Sequence, residues 1–134
     1  MGTASRSTKA LAGLFAVSGV LHFATPRPYE RIVPKPLPRK RELVYLSGAA
    51  ELACAAGLLH PRTRRPAGLA SAALLAAIFP ANVQMALDLN SKGSKAAKAA
   101  GFGRLPLQVP LIRAALKAAR DEHTVRTDRR RASR

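Results

Sequence analysis

The stretch AGLASAALLAAIFPANVQMAL, residues 67–87, has no Asp, Glu, Lys or Arg across 21 positions. Roughly 20 apolar residues are what an α-helix needs to cross the hydrocarbon of a bilayer, whereas a helix on the surface of a small soluble domain keeps one charged face. The run therefore predicts a membrane-spanning helix, and it limits what the rest of the chain can be.

Two more apolar runs precede it, residues 10–24 and 43–59, with 15 and 17 residues. Both are short for a bilayer and call for snorkelling by Lys9 or Arg41, or for local thinning. A fourth and weaker span, 105–119, contains Pro106, Pro110, Arg113 and Lys117. Arg6 and Lys9 ahead of ALAGLFAVSGVL have the form of a secretory signal, but the later apolar runs favour an uncleaved first span. The expected fold class is all-α: an integral membrane antiparallel four-helix bundle over residues 1–119, with basic loops and a disordered basic tail over 120–134. Five prolines, at 26, 28, 34, 36 and 38, make the first connection extended or turning. The third, DLNSKGSKAAKAAGFG, reads as a Gly- and Lys-rich loop. Small residues at helical spacing, Ala49, Ala53 and Gly57, then Gly68, Ala72 and Ala76, predict close helix packing.

Charge narrows the partners. With 23 Lys and Arg against 7 Asp and Glu, the formal charge is +16, so an anionic partner is expected. Because the basic residues lie between the apolar runs, that partner is membrane lipid with anionic headgroups. The competing class is a soluble basic helical protein that binds nucleic acid through tracts such as RKRE and RRR. The uncharged run and the lack of aromatic residues beside those tracts oppose it. A small transporter subunit is a third class. A slight excess of Lys and Arg at the N-terminus, second loop and tail places both termini in the cytoplasm of a multi-pass protein of the inner (plasma) membrane. The single cysteine, Cys54, excludes an intrachain disulfide or a cysteine metal cluster and reads as a buried, inert thiol.

The run LVYLSGAAELACAAGLL, residues 43–59, is apolar or small throughout except for Glu51 at its centre. A charge there costs about 3 kcal/mol on insertion scales, so such a residue faces the bundle interior and finds company. With depth measured from the side of the first and third loops, Glu51 lies roughly 12 Å in and His22 roughly 3 Å, while Asn82 and Gln84 fall within roughly 8 Å. Arg104 opens the fourth span and Gln108 follows one turn deeper on the same face. These positions predict a ligand or proton site of His22, Glu51, Asn82, Gln84, Arg104 and Gln108, open toward the first and third loops. Pro80 frees the carbonyl of Ala76 and kinks the third span beside Asn82, which makes a cavity wall. Three readings of Glu51 stay open: a structural lock between helices, a ligand or proton site, or an acid facing water on a soluble helix. No catalytic residue can be named, since no nucleophile has a base at hand, and no independent catalytic activity is expected. His60 and His123 lie away from His22, so neither haem nor metal is expected.

The stretches SGVLHFATPRPYERIVPKPLP, LSGAAELACAAGLLHPRTRRPAG, FPANVQMALD and GRLPLQVPLI together resemble the DoxX-like family of small four-helix bacterial membrane proteins. The resemblance covers most of residues 18–112 and places His22, Pro34, Glu51, Pro80, Asn82, Arg104 and Gln108 on motif positions. It implies a four-helix membrane fold and association with membrane redox complexes, through the family's link to a thiosulfate:quinone oxidoreductase subunit. A quinone is then the cofactor that suits the site, with redox-complex subunits as protein partners. The chain lacks the cysteines that a thiol-exchange role would use.

Overall fold

The computed structural model describes residues 3–132, apart from the side chains of 121–130. It is all-helical: α1 (Arg6–Ala24), α2 (Pro26–Ile32), α3 (Lys40–Leu59), α4 (Arg64–Lys92) and α5 (Lys95–Ala132), with no strand among the described residues. By length and composition alone, α1, α3 and α4 are each able to cross a membrane. The 15- and 17-residue runs sit inside helices of 19 and 20 residues. At 1.5 Å per residue these reach roughly 29 and 30 Å, so polar flanks supply the length that the apolar runs lack.

Each helix boundary has a local cause. Ser5 caps α1, its Oγ accepting from the Thr8 N–H at 3.2 Å. At the other end, the Thr25 N–H and hydroxyl both donate to the Leu21 carbonyl, at 2.8 and 3.1 Å, and Pro26 keeps Thr25 out of helical backbone. Pro26 then opens α2, since proline in a first helical turn has no hydrogen bond to lose. The proline-rich link is thus not wholly the extended or turning connection that the sequence suggests; its first part is a seven-residue helix. Pro34 ends α2, and Arg39, in the left-handed conformation with φ 53° and ψ 50°, turns the chain into α3.

The third connection also differs from expectation. α4 runs to Lys92 and α5 starts at Lys95, leaving only a short turn around Gly93. The segment KAAKAA has strong helix propensity, and the Ser94 hydroxyl caps it by accepting from the Ala97 N–H at 3.2 Å. At the far end the backbone remains helical to Ala132, where a disordered tail is expected, carried on by the Ala, Leu, Lys and Arg of 114–120.

Helix α1 packs on α3, α3 on α4, α4 on α5, and α5 returns to α1. The core is made of Leu11, Ala12 and Phe15 of α1, Cys54, Ala55 and Leu58 of α3, Ala67 and Leu75 of α4, and Ala115 and Ala118 of α5. Glycines set the crossings. A Cβ on Gly48 would lie 2.6 Å from His22 Cβ, and one on Gly68 would lie 2.6 Å from the Ala115 carbonyl oxygen. The small-residue stripe expected on α3 is therefore partly misplaced. Ala49 and Ala53 are exposed, and the buried face runs through Val44, Gly48, Glu51, Ala55 and Leu58. Between α3 and α4 the buried Arg64 donates from Nε to the Leu58 carbonyl at 3.0 Å, placing a cation on the carbonyl end of α3.

Candidate functional site: a cavity around Glu51 and His22

A cavity of about 470 Å³ lies between the C-terminal half of α1, α2, the N-terminal half of α3 and the stretch of α4 around Pro80. Its lining is mostly aliphatic, with Val33, Leu43, Val44, Leu74 and Ile78 among the walls. The polar residues of the lining are Ser18, His22, Tyr29, Ser47, Glu51, Asn82 and Arg104.

Glu51 is 2% exposed and His22 is 7% exposed. Helical spacing puts Ser47 and Glu51 on one face of α3, and the Gly48 crossing brings that face against α1. His22 Nδ1 lies 3.5 Å from Glu51 Oε2 and 2.6 Å from the Ser18 carbonyl oxygen. A carbonyl only accepts, so Nδ1 carries a hydrogen and donates it. Tyr29 of α2 stacks on the imidazole, with ring centroids 3.9 Å apart and planes at 27°. Helix α2 is held down by Glu30, whose Oε1 accepts from Arg41 Nε at 2.5 Å.

Glu51 Oε2 and Ser47 Oγ are buried and have no hydrogen-bond partner. Buried polar atoms are paired in the great majority of cases, so two that are not, on one cavity wall, set this wall apart from the rest of the interior. The aliphatic walls favour a largely apolar guest. Among the described residues no third His, Cys, Asp or Glu joins the pair.

The other predicted residues fall at different places. Asn82 lines the cavity and donates from Nδ2 to Gln108 Oε1 at 3.4 Å. Gln108 is buried behind the wall and does not line the cavity; its Nε2 donates to the Leu75 carbonyl. That carbonyl is one residue before the Ala76 carbonyl, which Pro80 leaves without its helical donor. Arg104 reaches the cavity from an exposed position on α5. Gln84 does not join the site: it donates to Asp88 Oδ1 at 2.9 Å, four residues along its own helix. Pro34 and Pro80 form part of the wall, whereas Cys54 packs in the apolar core. Tyr29 is missed by the sequence reading, since the prolines around it suggest an extended link. The signal that would have found it is Thr25 followed by Pro26, a helix start with proline in its first turn.

The chain is a small all-helical protein with three helices long and apolar enough to cross a membrane and a buried acid–imidazole pair beside an internal, mostly apolar cavity. Residues 11–119 match the family described as Domain of unknown function (DUF8561), and the chain belongs to that family. No curated protein and no solved structure matches it.

Proposed function

We propose that the chain is a multi-pass protein of the inner membrane, in which α1, α3, α4 and residues 105–119 of α5 form an antiparallel four-helix bundle. Its cavity binds a small lipid-soluble ligand of the quinone class. The observation that carries this reading is the carboxylate oxygen of Glu51, buried and unpartnered on the wall of a largely aliphatic chamber, 3.5 Å from an imidazole nitrogen.

Several features support it. Large apolar side chains point outward from the same helices that bury the core: Val17 is 62% exposed, Leu46 67% and Leu107 58%. In water such a surface is a liability, and in lipid it is the expected one. The basic loops then meet anionic headgroups, and with both termini cytoplasmic the chamber opens toward the other side. Ser47, Tyr29 and Arg104 offer donors to a quinone oxygen, while His22 and Glu51 can exchange its protons. The DoxX-like resemblance supports the same membrane redox association, with the chain acting as a subunit of a larger assembly rather than as an enzyme by itself.

The test begins with native membranes washed in alkaline carbonate. The protein is expected to stay in the pellet, and an organic extract of the detergent-purified protein is expected to contain a quinone in stoichiometric amount. Release by carbonate would contradict the membrane assignment, and an extract without any such molecule would contradict the ligand.

A further inference from the structure

The two buried side-chain oxygens without a partner, Ser47 Oγ and Glu51 Oε2, sit four residues apart on α3, and both residues line the same cavity. Four residues are one helical turn, so the two groups lie on one face, separated by about 6 Å along the axis. A single guest with two polar atoms at that spacing satisfies both.

The chemistry of each oxygen defines that guest. His22 Nδ1 already holds a hydrogen, which it gives to the Ser18 carbonyl, and it is also the nitrogen 3.5 Å from Glu51 Oε2. That one hydrogen is spent on the Ser18 carbonyl, so Glu51 Oε2 is left without a donor; as a carboxylate oxygen it accepts, and a donor is what it lacks. Ser47, a hydroxyl, can accept or donate. The guest must bring a hydroxyl to Glu51 and a second polar atom to Ser47, on a body that suits aliphatic walls and the plane of Tyr29 stacked over His22. A quinone has only carbonyl acceptors to offer. Its reduced form has a hydroxyl at each end of the ring.

Resting on the quinone-class reading above, we propose that Ser47 and Glu51 make the cavity selective for a dihydroxy-aromatic lipid, a quinol, over the corresponding quinone. An acceptor left buried against a carbonyl loses both its water and its bond, and this asymmetry is what discriminates strongly between a hydroxyl and its absence.

The experiment uses the full chain purified in mild detergent under argon and three probes: a decyl-substituted hydroquinone, its dimethyl ether and the parent quinone. Equilibrium binding is expected to favour the hydroquinone over each of the others by about tenfold, the effect of one well-made buried hydrogen bond. In Ser47→Ala that ratio is expected to fall, and Glu51→Gln, which offers an amide donor where the carboxylate accepts, is expected to shift preference toward the quinone. Equal affinity of the wild-type protein for all three probes would overturn the selectivity while leaving a quinone-class site standing. Failure of the folded wild-type protein to bind any of them would overturn the site reading as well. The wild-type comparison decides the matter even where a variant fails to fold.

Discussion

His22 and Glu51 face each other across a close contact between α1 and α3, Nδ1 to Oε2 at 3.5 Å, and two glycines make that approach possible. A Cβ on Gly19 would fall 2.9 Å from the Gly48 carbonyl oxygen, and a Cβ on Gly48 would fall 2.6 Å from His22 Cβ. The geometry of the acid–imidazole pair is thus fixed by backbone contact, not by the reach of two flexible side chains.

Gly48→Ala is expected to push α1 from α3 and pull His22 away from Glu51, with a loss of about 1–3 kcal/mol from overpacking. Gly13 is the matched control on the neighbouring helix, since a Cβ there meets nothing within 4 Å. Gly13→Ala should be neutral or stabilising by up to about 1 kcal/mol, because alanine is the better helix former. Thermal unfolding of both variants in detergent separates the two outcomes, and similar melting temperatures would contradict the tight crossing.

Gln108 joins α5 to α4 at two points, accepting from Asn82 and donating to the Leu75 carbonyl. Gln108→Leu should cost about 1–3 kcal/mol, since it leaves the buried Asn82 amide without its partner. Adding Asn82→Leu should recover part of that loss, because two apolar partners are nearly neutral where one orphaned amide is not. A double-mutant cycle measures this coupling; strictly additive losses would show that the pair does not act as one unit.

The contact between Glu30 and Arg41 is on the surface, yet it closes α2 over the chamber beside the Tyr29–His22 stack. Arg41→Gln is expected to leave the melting temperature almost unchanged while freeing α2. Tryptic cleavage after Arg31, which Ile32 follows, should then be faster than in the wild-type protein. Unchanged cleavage would mean that stacking alone holds the helix.

Much of this site was legible in the sequence, for a physical reason. A carboxylate in the middle of an apolar run is costly to leave on an apolar outer face, so Glu51 was expected to turn inward, and helical rise alone put His22 and Asn82 in the same half of the packed helices. What depth does not encode is rotation about the helix axis. Gln84 shares the depth of Asn82 but lies two residues, about half a turn, further on, and it pairs with Asp88 instead. The small-residue stripe of α3 went astray in the same way: alanine fits both a lipid-facing and a helix-facing position, and only packing chose Gly48 over Ala49. Tyr29 was hidden by prolines, which break a helix interior but begin a helix equally well.

The most direct test of the account is the reactivity of the Glu51 carboxyl in intact membranes. A hydrophobic carbodiimide, which partitions into lipid, is expected to modify Glu51, as read by mass spectrometry of its peptide, and the alkyl hydroquinone is expected to slow that modification. A water-soluble carbodiimide is expected to label Glu42, whose side chain is 71% exposed, and to spare Glu51. Labelling of Glu51 by the soluble reagent as fast as Glu42, or its indifference to the hydrophobic one, would contradict a carboxylate held in an apolar chamber within the membrane.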